Sequence, residues 1–174
     1  MSANDILKNI KDNEIKFVDL RFTDPRGKLQ HVTLMEDQVD EDFLDEGFMF
    51  DGSSIAGWKS IEASDMKLML DTDTAYVDPF YAEKTICVHC SVVEPDTGEA
   101  YESDPRGTAQ KAEAYLKASG IGDVAYMGPE AEFFLFDNVK FSNSINKVSY
   151  EVDASDASWN TATDYEMGNM GHRP

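Results

Sequence analysis

From Glu14 to Leu34 the sequence alternates apolar and polar residues on either side of one turn: EIKFVDLRFT, then Asp24-Pro25-Arg26-Gly27, then KLQHVTL. Period-two alternation puts Val18, Leu20 and Phe22 on one face of a strand. Asp, Pro and Gly supply the turn chemistry of a hairpin. A β-hairpin here commits the chain to a sheet with one apolar face to cover. Helical patterns flank it. Residues 2–13 set Ile6, Leu7 and Ile10 at helical spacing, with Ser2 or Asn4 as the cap, and residues 36–46 predict a short helix with Val39, Phe43 and Leu44 inward and Gly47 at its end.

Beyond that helix lies a loop rich in glycine and serine, FMFDGSSIAGW, followed by short predicted strands over 66–70, 74–77 and 85–93. A second unit begins at Ser103-Asp104-Pro105-Arg106-Gly107. Asp104 is placed to cap a helix with Pro105 at its first position, and Ala109, Ala112, Tyr115 and Leu116 form a stripe before Gly120. Next come an apolar strand at 127–137 and a hairpin in VKFSNSINKVSYEVD. The chain is read as α+β, with one domain over 1–103 and a second, incomplete one over 104–174, because so few elements follow Ser103 that they cannot cover the apolar face of FFLF.

With 34 acidic side chains against 15 basic ones, the formal charge of −19 argues against a nucleic-acid or anionic-membrane surface and favours metal cations, ammonium-like ligands and basic protein faces. No apolar run reaches the roughly 20 residues of a membrane helix, and the first residues lack a signal-peptide core, so a cytoplasmic location is expected. Cys87 and Cys90 satisfy C-x-x-C, but in a strand positions three apart face opposite ways, so both are expected to be ordinary reduced core residues. His31 and His89, each in a predicted strand, are read as structural, Asp71-Thr72-Asp73 as a solvated turn, and His172 is left unassigned.

MGPEAEFFLFD carries two acids into an apolar segment. In a strand Glu130, Glu132, Phe134 and Phe136 share a face, and carboxylates there must be solvated, protonated or paired with a cation. They are either edge residues reaching solvent or oxygen ligands, and oxygen-only ligation suits Mg²⁺ or Mn²⁺. In FDGSSIAGW the choice lies between a mobile surface turn and a polar cluster of Asp51, Ser53 and Ser54 that Phe50, Ile55 and Trp58 could dock on another surface. Its Gly52-Ser53-Ser54-Ile55-Ala56-Gly57 run has the wrong spacing for the G-x-S-x-G elbow of a serine hydrolase.

Three stretches taken together, KFVDLRFTDPRGKLQHVT, MFDGSSIAGWKSIEASDMKLMLD and GPEAEFFLFD, followed by NMGHRP, resemble in order and spacing the beginning of bacterial type I glutamine synthetase. The resemblance implies a small β-grasp-like N-terminal domain followed by the beginning of an antiparallel-sheet catalytic domain. It implies a glutamate–ammonia ligase that is ATP-dependent and ADP-forming, joining ammonium to L-glutamate through a γ-glutamyl phosphate with two divalent cations, Mg²⁺ or Mn²⁺. It places one ion on Glu130 and one on Glu132, assigns Asp51 and Ser54 to the ammonium side with Asp51 taking the proton, and packs Trp58 at an interface. For the full-length chain it implies a homo-oligomer, a dodecamer of two hexameric rings, with Asp51 acting in the site of the neighbouring subunit. The remaining ligands, most of the nucleotide site and the adenylylated tyrosine of that family are expected beyond Pro174, so the isolated piece is expected to be inactive. Two other classes stay open: a non-catalytic module that docks on or caps a full-length synthetase oligomer, and an unrelated carboxylate–metal hydrolase. A reading frame continuing past Pro174 separates enzyme fragment from module.

Overall fold

The computed structural model describes residues 3–160 and 164–172. It divides into two compact units, Met1–Ala125 and Tyr126–Pro174. Among the described residues no helix is long and apolar enough to cross a membrane.

In the first unit, α1 (Ala3–Asp12) buries Ile6 and Ile10 from successive turns of one face. Asn4 lies inside this helix rather than capping it, and Ser2 lies outside the described residues. The hairpin forms as expected from β1 (Phe17–Thr23) and β2 (Leu29–Met35), with Val18, Leu20 and Phe22 buried. Asp24 organises the turn: its carboxylate accepts from the N–H groups of Arg26 and Lys28 and from Gln30 Nε2, each at 2.9 Å, and Gly27 takes the positive φ of 81°.

The single helix expected over 36–46 is two pieces, a 3₁₀ turn over Glu36–Gln38 and α2 (Glu41–Glu46). The Asp40 carboxylate accepts from Phe43 N at 2.8 Å and starts a new helix there, which is why the pattern breaks. Part of the expected loop is a strand, β3 (Phe48–Asp51), paired with β4 (Asp65–Val77). The two short strands expected over 66–77 are this one strand, irregular between Asp71 and Tyr76. Asp71, expected in a solvated turn, instead pairs with Arg106. β5 (Thr85–Val93) completes the sheet in the order β2-β1-β5-β4-β3, with β1 and β5 parallel and the other pairs antiparallel. One face of the sheet, carrying Leu20, Leu68, Val88 and Val92, packs with Ile6, Ile10 and Leu44 into the core.

α3 (Pro105–Ser119) has the expected ends, with Asp104 as cap, Pro105 in its first turn and Gly120 left-handed at φ 69°. Its expected apolar stripe is not a buried face. Gly107 is its buried residue, and Tyr115 is 75% exposed. What fixes the helix is Asp104 itself, 1% exposed, whose carboxylate accepts from Arg106 N and from Val92 N on β5, each at 3.0 Å.

The second unit is built on the expected hairpin, β6 (Asn138–Ser144) and β7 (Lys147–Asp153). The apolar strand expected at 127–137 is not formed: residues 124–136 have no regular structure, and Phe133, Phe134 and Leu135 are exposed. A strand needs a neighbour to pair its N–H and C=O groups, and β6 and β7 pair only with each other among the described residues. Phe134 and Phe136 still stack at 6.2 Å, as alternate residues do in extended chain. Beyond β7, Asn169 knits the tail by donating to Ala154 O and Trp159 O, while Thr161–Thr163, Arg173 and Pro174 lie outside the described residues.

Candidate functional site

Asp51 is the last residue of β3, at the free edge of the sheet, and Gly52–Ser54 turn away from it as one 3₁₀ turn. The turn is pinned at both ends. Gly52 N donates to Ser64 O at 2.7 Å, and Ile55 N donates back to Gly52 O at 3.1 Å. A side chain at Gly52 would force the buried Met66 to move, since a Cβ there would meet Met66 Sδ at 2.2 Å. Downstream, Trp58 stacks on Phe22 at 5.6 Å and meets Tyr101 edge-on at 5.6 Å, with Phe50 at 6.2 Å. Ile55 is buried in the same core. The aromatic side chains flanking the loop thus hold it to its own sheet. Trp58 Nε1 is buried with no acceptor among the described residues.

This scaffold leaves Asp51 exposed but not free. Oδ1 accepts from Ser53 N at 2.8 Å and from Ser53 Oγ at 2.6 Å. Those two bonds, with a smaller one from the Ser64 side chain, hold the carboxyl below its ordinary range. Ser54, the serine singled out in the sequence, is exposed and is not the one that bonds Asp51. Ser53 was read only as one member of the polar cluster, and Ser64 was missed. The Asp-Gly-Ser order was the available signal for Ser53, since an Asp side chain commonly caps the N–H two residues on; Ser64 arrives through β4 and has no local signal. An open cleft of about 450 Å³ lies along the neighbouring segment, lined by Met49, Lys59, Glu62, Ser64, Asp65 and Glu94.

The opposite face of the sheet carries a buried polar network. Asp19, fully buried, accepts from Thr33 Oγ1 at 2.6 Å, lies 2.7 Å from His31 Nδ1, and pairs with Arg21 Nε at 2.9 Å; Arg21 reaches on to Asp78 at 2.9 Å. Burial pushes the Asp19 carboxyl up, but hydrogen bonds with Thr33, His31 and Arg21 outweigh it and leave the group low. Cys87 faces this network, and burial raises its thiol to about 11. Cys90 points into the apolar core and is raised by burial to about 12. The two sulfurs lie on opposite faces, as the strand reading requires, and neither is poised as a thiolate.

Glu130 and Glu132 lie in the second unit, on the irregular segment, and are exposed. Neither is held by a hydrogen bond or ion pair among the described residues. Their four carboxylate oxygens are the hard donor type that Mg²⁺ and Mn²⁺ prefer. Among the described residues no group of three or more His, Cys, Asp or Glu side chains gathers into a metal cage. The pair therefore fits as part of a coordination shell and not as a whole one. His172 makes a main-chain bond to Asp156 O at 2.6 Å.

Residues 14–95 match the family described as "Glutamine synthetase, beta-Grasp domain", and residues 102–171 match "Glutamine synthetase, catalytic domain". The chain is 71% identical over 169 residues to a glutamine synthetase of Cereibacter sphaeroides, covering 97% of this chain and 36% of that one. It is 51% identical over 173 residues to a protein of Cupriavidus pinatubonensis named 3-hydroxylaminophenol mutase, covering 99% of this chain and 37% of that one. In fold it is similar to a glutamine synthetase structure from Plasmodium falciparum, with a TM-score of 0.66 at 22% identity over 90% of this chain and 30% of the other. The chain thus spans little more than a third of the length of the curated relatives it matches.

Proposed function

We infer, from the premise that this chain belongs to the glutamine synthetase family, that it serves the ATP-dependent, ADP-forming ligation of ammonium to L-glutamate. The observation that carries this reading is the Asp51 turn: a carboxylate kept ionised and exposed at a sheet edge suits capture of a small cation. In the proposed scheme ATP phosphorylates the γ-carboxylate of glutamate, ammonia attacks the acyl phosphate carbonyl, and phosphate leaves. Asp51 binds the ammonium ion and accepts the proton it sheds, with Ser54 lining the same side. Glu130 and Glu132 would each hold one of two divalent cations, Mg²⁺ or Mn²⁺, which when bound neutralise the phosphate oxygens. The working division is between residues 1–103, which deliver Asp51, and 104–174, which begin the catalytic part. A cytoplasmic homo-oligomer of two hexameric rings is the assembly we propose for the full-length protein.

In that assembly Asp51 works in the site of a neighbouring subunit, with Trp58 beside the shared boundary. The test takes full-length synthetase carrying this sequence over residues 1–174. Asp51→Ala and Glu132→Ala variants are dissociated, mixed and reassembled. Partial glutamine synthesis should return, because some sites then combine an intact Asp51 from one subunit with an intact Glu132 from the next. Mixed oligomers as inactive as either parent would remove Asp51 from the shared site. Because one relative bears a mutase name, the parent protein is also assayed for hydroxylaminophenol rearrangement, which should be minor beside ligation.

A further inference from the structure

We propose that Ser53 and Ser64 are positioning residues for the ammonium site, fixing the Asp51 carboxylate so that a cation is received through Oδ2. This rests on the assignment of Asp51 above. An acid at the exposed end of an edge strand would ordinarily sample several rotamers. Here one residue makes two short bonds to one oxygen: Ser53 N at 2.8 Å and Ser53 Oγ at 2.6 Å both reach Oδ1. A carboxylate oxygen has two lone pairs in the plane, so Oδ1 is saturated and a further donor must use Oδ2. Ser64 acts on both parts of the turn. Its carbonyl accepts from Gly52 N at 2.7 Å, and its side chain lies near enough to Asp51 to help keep the carboxyl low. The same serine therefore sets the backbone from which the carboxylate projects and adds a small share to keeping the group charged.

The arrangement also selects between two tasks for Asp51. Asp65 stands directly opposite Asp51 in the β3–β4 ladder, and Lys67 lies opposite Met49 two positions along the same face. Partial desolvation of the Asp51 carboxyl favours its protonated form. The serine donors counter it and keep the group charged. A carboxylate held ionised in this way binds ammonium well but is a weak base, since proton-accepting power falls as acidity rises. Ser53 and Ser64 thus tune Asp51 toward capture of the ion, and the proton is surrendered only as the nitrogen commits to the carbonyl.

The experiment compares Ser53→Ala, Ser64→Ala and Ser53→Thr in full-length synthetase carrying this sequence, with Asp51→Asn as reference. Ser53→Ala should raise KM for ammonium about tenfold, as loss of hydrogen bonding to a charged group does. KM for glutamate and for ATP should stay unchanged, and the acid limb of kcat/KM for ammonium should move to higher pH. Ser64→Ala should do the same to a smaller degree, and Ser53→Thr, which keeps the hydroxyl, should restore the parent values. In the 174-residue chain, the Asp51 carboxyl carbon followed by NMR should titrate at higher pH in Ser53→Ala than in the parent. If Asp51→Asn leaves ammonium kinetics untouched, the assignment of Asp51 fails and this inference with it. If Asp51→Asn is impaired while Ser53→Ala shifts neither the ammonium KM nor the carboxyl titration, only the positioning role is overturned. A uniform loss toward all three substrates without rescue by threonine means the serines merely hold the fold, and also overturns it.

Discussion

Asp19 shows how much one side chain can hold together in this sheet. It is fully buried, yet three neighbours on β1 and β2 share its two oxygens: its charge is paired with Arg21, and Thr33 and His31 hydrogen-bond it. Replacing it by asparagine removes the charge and leaves Asp78 as the acid paired with Arg21. Asp19→Asn should cost about 3 kcal/mol at neutral pH, the order found when one member of a buried charged network is removed. The pH dependence follows from the depressed carboxyl. Its contribution is complete above the ordinary carboxylate range and disappears as pH falls through the lower folded value, so parent and variant should converge in acid. Urea denaturation of both proteins at pH 7 and at pH 3 checks this, and an equal gap at the two values would refute it. Nothing in the sequence marked Asp19, because an acid at an alternate strand position reads as solvent-facing. Its burial is decided by β5, which pairs with β1 and brings Cys87 opposite Asp19.

At the level of elements, the best anticipated pieces were those whose ends are written in local chemistry. The β1–β2 hairpin follows from alternation around Asp24, and α3 starts and stops at Asp104 and Gly120 as its caps dictate. The pieces that differed depend on distant partners or on competing local signals. Asp40 divides one helical pattern into two, and Phe48–Asp51 becomes a strand because β4 lies beside it. Asp104 joins both kinds of information, capping α3 while accepting from Val92 N in the middle of the core. Asp104→Ala should therefore cost more than an ordinary cap. About 1 kcal/mol comes from the helix end, and about 1–3 kcal/mol more from a buried N–H left without its acceptor. Hydrogen exchange should report it, with protection falling at Arg106 and Val92 while the β1–β2 hairpin stays protected. If the loss is confined to Arg106, the cap is the residue's whole role.

For the whole molecule, the sharpest contrast lies between a sheet unit with a continuous core and residues 124–136, which have no regular structure and expose Tyr126, Met127 and Phe133. Brief digestion with chymotrypsin should cut first within this stretch and leave a resistant N-terminal product, read by mass spectrometry. Early cuts inside β1 to β5 would contradict it. The glutamates of this stretch were read as metal-ligand chemistry, but the strand expected to carry them was not formed, since a strand is a property of a pair and not of one segment. The parallel pairing of β1 with β5 carries a further consequence for how the protein is made. Val18 meets Ile86 only after the whole intervening chain has left the ribosome and its ends have closed on each other. Until then the finished hairpin waits with the β5-facing side of β1 open, and an open strand edge is where two nascent chains can join. Crowding of neighbouring nascent chains on one messenger RNA therefore favours misassembly at this edge.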